Sequence, residues 1–168
     1  GISFPAVFDG EQDHVRGPFL TVLWENLTDP IITGREELGN AKIYCELPDP
    51  VVLRGSWHCS ASWLGFKFLD LRVGDLREPT EEAAAAAVDG TLHFKYIPKT
   101  GVWGSADVAY PVLTPADTPN RKVLEHRVGA GRVEFHRANW EDMPTQYNIV
   151  NACADLEIKE YCGASVTR

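Results

Sequence analysis

Along most of the chain apolar and polar residues alternate with a period of two, and short runs of turn residues break the alternation into strand-length pieces. PFLTVLWE (18–25) is β-branched and aromatic and is followed by the turn-like NLTDP and a short IIT. VVLRGSWHCSASW (51–63), FKFLDLRV (66–73), TLHFKYIP (91–98), DVAYPVL (107–113), GRVEFHR (131–137) and ACADLEIKEYC (152–162) continue the pattern. One segment has a different period. In PTEEAAAAAVDG (79–90), Thr80 suits an N-cap, Glu81 and Glu82 suit the positive end of a helix dipole, five alanines form the body and Gly90 is a stop. Short helices are also expected near 35–39 and 139–148. The pattern therefore predicts one α+β domain over residues 1–168, built on a mainly antiparallel sheet that curls or closes into a barrel, with few short helices.

Composition narrows the functions such a sheet could serve. The 168 residues are 44% hydrophobic, with five Trp and seven Phe, enough for a substantial core. A net charge of −8 lacks the Lys/Arg excess that a polyanion requires, which excludes nucleic acid and an anionic membrane as leading partners. No run of 18 apolar residues exists and the start lacks a basic-then-apolar leader, so the expectation is a soluble, cytoplasmic protein. Cys45, Cys59, Cys153 and Cys162 form no C-x-x-C pair and are expected to be reduced, mostly buried thiols, two disulfides being the alternative. The sequon at Asn26 would matter only in a secreted chain.

Most candidate chemistry has a plainer explanation. Glu134 and His136 share a strand face and could begin a metal site, but no third ligand accompanies them; His58 and Cys59 are adjacent and point to opposite faces. GAGRVE, from Gly129, has two glycines of a dinucleotide fingerprint without the third, and a hairpin turn explains it better. Neither Ser56 nor Ser105 lies in G-x-S-x-G, and no cysteine is tied to a histidine base. Trp24, Trp57, Trp63, Trp103 and Trp140 are expected mainly in the core, with some lining a cavity.

GREELGNAKIYCEL (34–47) stands apart. Lys42 has Leu38 and Gly39 one helical turn earlier, so it lacks the usual charged neighbour of a surface lysine. A lysine is a nucleophile only when its neutral amine is populated near neutral pH, through desolvation or a neighbouring cation. Ala41, Ile43 and Tyr44 suit the first route, and Arg35 could contribute to the second if the segment is helical. A Schiff-base lysine and a structural lysine both fit these residues.

GREELGNAK resembles the active-site signature of the acetoacetate decarboxylase family, approximately G-R-E-x-x-x-x-P-K, with Arg35, Glu36 and Lys42 at matching spacing. SFPAVFDG and GPFLTVLWENLTDPIITGREE resemble the family's strands leading to the lysine, TLHFKYIPKTG resembles its L-K-x-I-P segment, and residues 129–168 resemble its closing strands. The resemblance implies the family's β-cone fold and a catalytic set of Lys42, Arg35 and Glu36. Lys42 would condense with a small β-keto acid to an iminium that accepts the electrons released as CO2 leaves, while Arg35 and Glu36 shape or polarise the pocket. Acetoacetate decarboxylase is itself the standard example of a lysine activated by desolvation or a nearby cation, so the resemblance supplies that mechanism. It also implies a homo-oligomer and no cofactor, since the lysine is the electron sink.

Two departures matter. Ile43 replaces a second lysine found in many decarboxylases of the family, and Ala41 replaces the motif's proline. The family's upstream segment, which supplies an arginine and carboxylates, has no counterpart before Gly1, so a fragment of a longer protein is expected, a shortened relative with a more open site being the alternative. Relatives with altered pockets keep the iminium for aldol or dehydration chemistry, which is the enzymatic alternative. A non-catalytic barrel holding a small apolar ligand is the other.

Overall fold

The computed structural model describes residues 1–80, 88–117 and 122–168. In chain order its elements are β1 Ile2–Asp9, β2 His14–Glu25, α1 Thr28–Leu38, β3 Lys42–Tyr44, β4 Val51–Leu53, β5 Ser56–Trp63, β6 Phe66–Arg77, β7 Gly90–Pro98, β8 Ala106–Pro115, β9 His126–Phe135, α2 Tyr147–Ala154 and β10 Ala164–Thr167. They fall into two compact units, Gly1–Tyr44 with Ala86–Arg121, and Cys45–Ala85 with Lys122–Arg168.

The first unit holds a mixed sheet ordered β1-β2-β7-β8, with β3 added to β2. β1/β2 and β7/β8 are antiparallel pairs, whereas β2 runs parallel to β7 at Phe19↔Leu92 and to β3 at Leu23↔Lys42. Val22, Trp24, Leu92 and His93 are its buried side chains. Period-2 alternation explains why Val22 and Trp24 go inward together while their neighbours do not.

The second unit is an antiparallel sheet ordered β10-β9-β6-β5-β4. Two tight hairpins build its edge: Arg54 and Gly55, then Leu64 and Gly65, all have positive φ, the conformation in which a two-residue turn matches the twist of its strands. Phe68, Met143, Val150 and Cys45 are fully buried there. Asn151 of α2 accepts from the Ala138 N–H and donates to the Ala138 carbonyl, both at 2.9 Å, which satisfies a stretch of backbone beyond β9.

The expected mainly antiparallel sheet is present as two five-stranded sheets, neither closed on itself. Three local expectations change. The turn and short strand read from NLTDPIIT are instead the start of α1. Asp29 suits the first turn, and Pro30 loses nothing there because first-turn N–H groups have no intrahelical partner. ACADLEIKEYC is not a strand: its first residues finish α2, which begins at Tyr147, near the end of the helix expected at 139–148, and runs on to Ala154. The glycines of GAGRVE lie inside β9, not in a hairpin turn. A Cβ on Gly129 would lie 2.2 Å from the Gly74 carbonyl oxygen, and one on Gly131 would lie 2.4 Å from Ala164 Cβ, so close strand packing explains them. The body of the helix expected over 79–90, residues 81–87, lies outside the described residues.

Candidate active site

Lys42 opens β3, where the parallel register sets it beside Leu23 of β2. Glu25 is two residues beyond Leu23 and so shares its face, which brings the carboxylate within reach of the lysine amine. Lys42 Nζ lies 3.0 Å from Glu25 Oε1 and 3.2 Å from Oε2, and donates to the Pro30 carbonyl at 3.0 Å. The Lys42 side chain is 12% exposed and that of Glu25 26%. This is a largely desolvated ion pair, in which the geometry of the charges matters more than at a surface.

α1 fixes that geometry. Gly34, the buried residue of the helix, faces the lysine so closely that an added Cβ would come within 2.6 Å of Lys42 Cε and 2.8 Å of Nζ. The helix ends in an αL turn: the Gly39 N–H donates to the Arg35 carbonyl, and the Asn40 N–H reaches back to the Gly34 carbonyl. Gly39 has φ +72°, and its Cβ would lie 2.5 Å from Lys95 Cα on β7, so both conformation and packing require glycine. Arg35 Nη1 donates to the Lys42 carbonyl at 3.0 Å. Of the three residues taken from the motif, Arg35 thus touches the backbone of Lys42, and Glu36 is exposed on α1.

Two further side chains at this corner escaped sequence reasoning. Glu25 is distant in sequence, and only the parallel pairing of β2 with β3 brings it to the amine. His93 on β7 is 4% exposed, and its Nε2 is 3.0 Å from Thr114 Oγ1 of β8. Burial, and then the positive charge of Lys42, hold the imidazole below its ordinary pKa. The alternation of TLHFKYIP places His93 and Lys95 on one face, but gives no sign that the Lys42 charge bears on the imidazole.

The remaining candidates serve structure. His136 Nε2 lies 2.7 Å from Asp70 Oδ2, while Glu134 is 4.0 Å from the other ring nitrogen. Among the described residues no group of three His, Cys, Asp or Glu could hold a metal ion. His58 and Cys59 pair with different residues of β6, Arg72 and Leu71. All four cysteines are free, but only Cys45 is buried, and Cys162 is exposed, contrary to the expectation of mostly buried thiols. Burial pushes the Cys45 thiol up to about 11, which leaves it inert near neutrality. Of the tryptophans Trp24 is core; Trp103 is fully exposed beyond β7, and Trp140 is exposed with its edge toward Tyr147, so the core expectation fails for these two. Among the described residues no helix is long and apolar enough to cross a membrane.

The fold defines a class. An acetoacetate decarboxylase from Legionella pneumophila subsp. pneumophila str. Philadelphia 1 superposes with a TM-score of 0.74 at 17% identity, over 98% of this chain and 59% of that one. A second acetoacetate decarboxylase structure gives 0.71 at 18% identity, over 99% and 62%. The enduracididine biosynthesis enzyme MppR, complexed with the condensation product of pyruvate and imidazole 4-carboxaldehyde, gives 0.52 at 14%, over 84% and 55%. No curated protein sequence matches the chain. The acetoacetate decarboxylase family profile matches residues 1–168, and the chain belongs to that family. It spans about three fifths of the length of the two decarboxylases.

Proposed function

We propose that this chain carries the Schiff-base centre of a lyase acting on a small β-keto acid, with Lys42 as the covalent residue. The observation that supports it best is the Lys42 amine itself: 12% exposed, held by Glu25 and the Pro30 carbonyl, at the position the family motif assigns to the reactive lysine. The amine in its neutral form attacks the ketone carbon, and the carbonyl oxygen leaves as water. The resulting iminium draws the electron pair of the breaking C–C bond as CO2 departs. Protonation of the enamine carbon and hydrolysis then free the product and the lysine. Low local dielectric strengthens the pull of the iminium on that electron pair.

Glu25 and the Pro30 carbonyl orient the amine, and Arg35 positions it through the Lys42 carbonyl. Glu36, one residue on, is assigned to polarising the approach to the pocket. The same reading carries a homo-oligomeric, cytoplasmic enzyme whose partner is the keto acid; the free state of all four cysteines supports the compartment.

A second reading keeps the iminium and uses it for aldol addition and dehydration. The structural likeness to MppR, caught with a condensation product of pyruvate, favours it. Product analysis separates the two. CO2 from acetoacetate, absent in Lys42→Ala, supports decarboxylation, whereas condensation of pyruvate with imidazole 4-carboxaldehyde supports the second reading. A folded protein that does neither, and binds small apolar ligands equally well as Lys42→Met, is a non-catalytic binding module.

A further inference from the structure

Three acceptors face the Lys42 amine: Glu25 Oε1 at 3.0 Å, Glu25 Oε2 at 3.2 Å and the Pro30 carbonyl at 3.0 Å. An ammonium carries three hydrogens and no lone pair, so in this arrangement every hydrogen is directed to the protein and nothing is available to attack a ketone. The nitrogen must lose a proton before it can react. The shortest path for that proton leads to an acceptor already in contact, and a peptide carbonyl is too weak a base to keep it. The Glu25 carboxylate is the contact that can.

Its geometry suits the task. Both Glu25 contacts lie within the roughly 2.6–3.2 Å over which a general base acts. Among the described residues the carboxylate has no hydrogen-bond donor besides the Lys42 amine, so no backbone N–H or second cation competes with a proton for its oxygens. Because the two oxygens are almost equally near the nitrogen, one can serve the nitrogen while the other meets an oxygen on the carbon bonded to it. Access from bulk water is small: the Lys42 side chain is 12% exposed, and Gly34 of α1 packs against Nζ so closely that a Cβ there would lie 2.8 Å away.

We infer that Glu25 is the general base and acid of imine formation at Lys42, carrying protons from the lysine nitrogen to the substrate oxygen. The inference rests on the Schiff-base reading above and gives a chemical role to a residue that there only orients the amine. Between the ammonium and the iminium, nitrogen gives up two protons, a C=N bond replaces the C=O bond, and the oxygen takes both protons and leaves as water. Glu25 accepts the first proton, the amine adds to the ketone carbon, and the carboxylic acid returns that proton to the alkoxide. The carboxylate then takes the second proton from the adduct's nitrogen and delivers it to the departing hydroxyl, ending ionised. The nitrogen is cationic at both ends of this sequence and faces the same carboxylate each time, so neither state leaves a desolvated charge unpaired.

The test is the rate at which a borohydride-reducible adduct forms on Lys42, with acetoacetate and pyruvate as probes, in variants whose circular dichroism matches the unaltered protein. Glu25→Gln keeps the shape and an acceptor but removes the base, so adduct formation should slow about 100-fold or more. A carboxylate that served only as counter-ion gives the opposite sign: an ammonium buried without its partner sheds its proton more readily, and the amine would react as fast or faster. Glu25→Ala should be slow as well and recover at least about tenfold when formate is added. An unchanged or faster rate in Glu25→Gln, or slowing in Glu25→Ala that formate does not relieve, overturns the inference, while the adduct on Lys42 leaves the Schiff-base reading standing. Absence of any adduct in the unaltered protein overturns both.

Discussion

Lys42 and Lys67 each hold a carboxylate, and their surroundings separate them. Lys67 Nζ lies 2.6 Å from Asp70 Oδ2 with its side chain 52% exposed, and His136 binds the same oxygen at 2.7 Å. Hydrogen bonding from Lys67, with His136 adding to it, holds the Asp70 carboxyl below its ordinary value. Lys42 is packed under Gly34, 12% exposed, and Asn40, whose carbonyl accepts from the Lys42 N–H, leaves its buried side-chain oxygen without a partner. The Asp70 cluster is internally complete and wet, so it offers little to a ligand. The Lys42 corner is incomplete and dry, a condition a substrate can remedy. An ion pair is therefore informative about function through what its neighbours leave undone.

Exchanging the roles of the two lysines gives the sharpest contrast. Lys42→Ala should lose the borohydride-trapped adduct and all turnover, whereas Lys67→Ala should leave both unchanged; equal losses would erase the distinction between the sites. Gly39→Ala comes next. With φ +72° and the Lys95 backbone 2.5 Å from the new methyl, thermal unfolding should show a loss of about 2 kcal/mol or more, and adduct formation should fall with it.

Gly34→Ala should divide activity from stability. The methyl displaces the Lys42 amine from Glu25 and should slow adduct formation about tenfold, as small misplacements of a reacting group do. The helical preference for alanine, worth up to about 1 kcal/mol, offsets the crowding, so the melting temperature should hardly move. The smallest effect belongs to Lys67→Ala, at about 0.5–1 kcal/mol near neutral pH, since exposed pairs contribute little. Asp70 has a lowered folded pKa, so its stabilisation is present above the ordinary value of 3.8 and is lost as pH falls through the lowered one. The difference between the unaltered protein and Lys67→Ala should accordingly shrink in acid, and urea titrations at a series of pH values measure it.

The sheets were legible because alternation is local: TLHFKYIP and FKFLDLRV each became a strand over nearly the expected residues. NLTDPIIT misled because Ile31, Ile32 and Thr33 favour strands individually, while the Pro30 start and the Gly39 stop together define a helix. At the site, Lys42 and Arg35 lie within one short stretch whose motif carries them. Glu25 and His93 come from other strands and reach the corner through the pairings of β2 with β3 and β7, which no local pattern encodes. Trp103 was misjudged for a related reason: aromatic residues favour cores on average, and only the β7–β8 turn exposes this one.

The most direct measurement is peptide mass spectrometry after borohydride reduction of the folded protein with acetoacetate, and in parallel with pyruvate. The account predicts a single adduct mapping to Lys42, absent in Lys42→Ala and undiminished in Lys67→Ala. A folded protein that yields no adduct, or one whose adducts spread over exposed lysines such as Lys67, would contradict it.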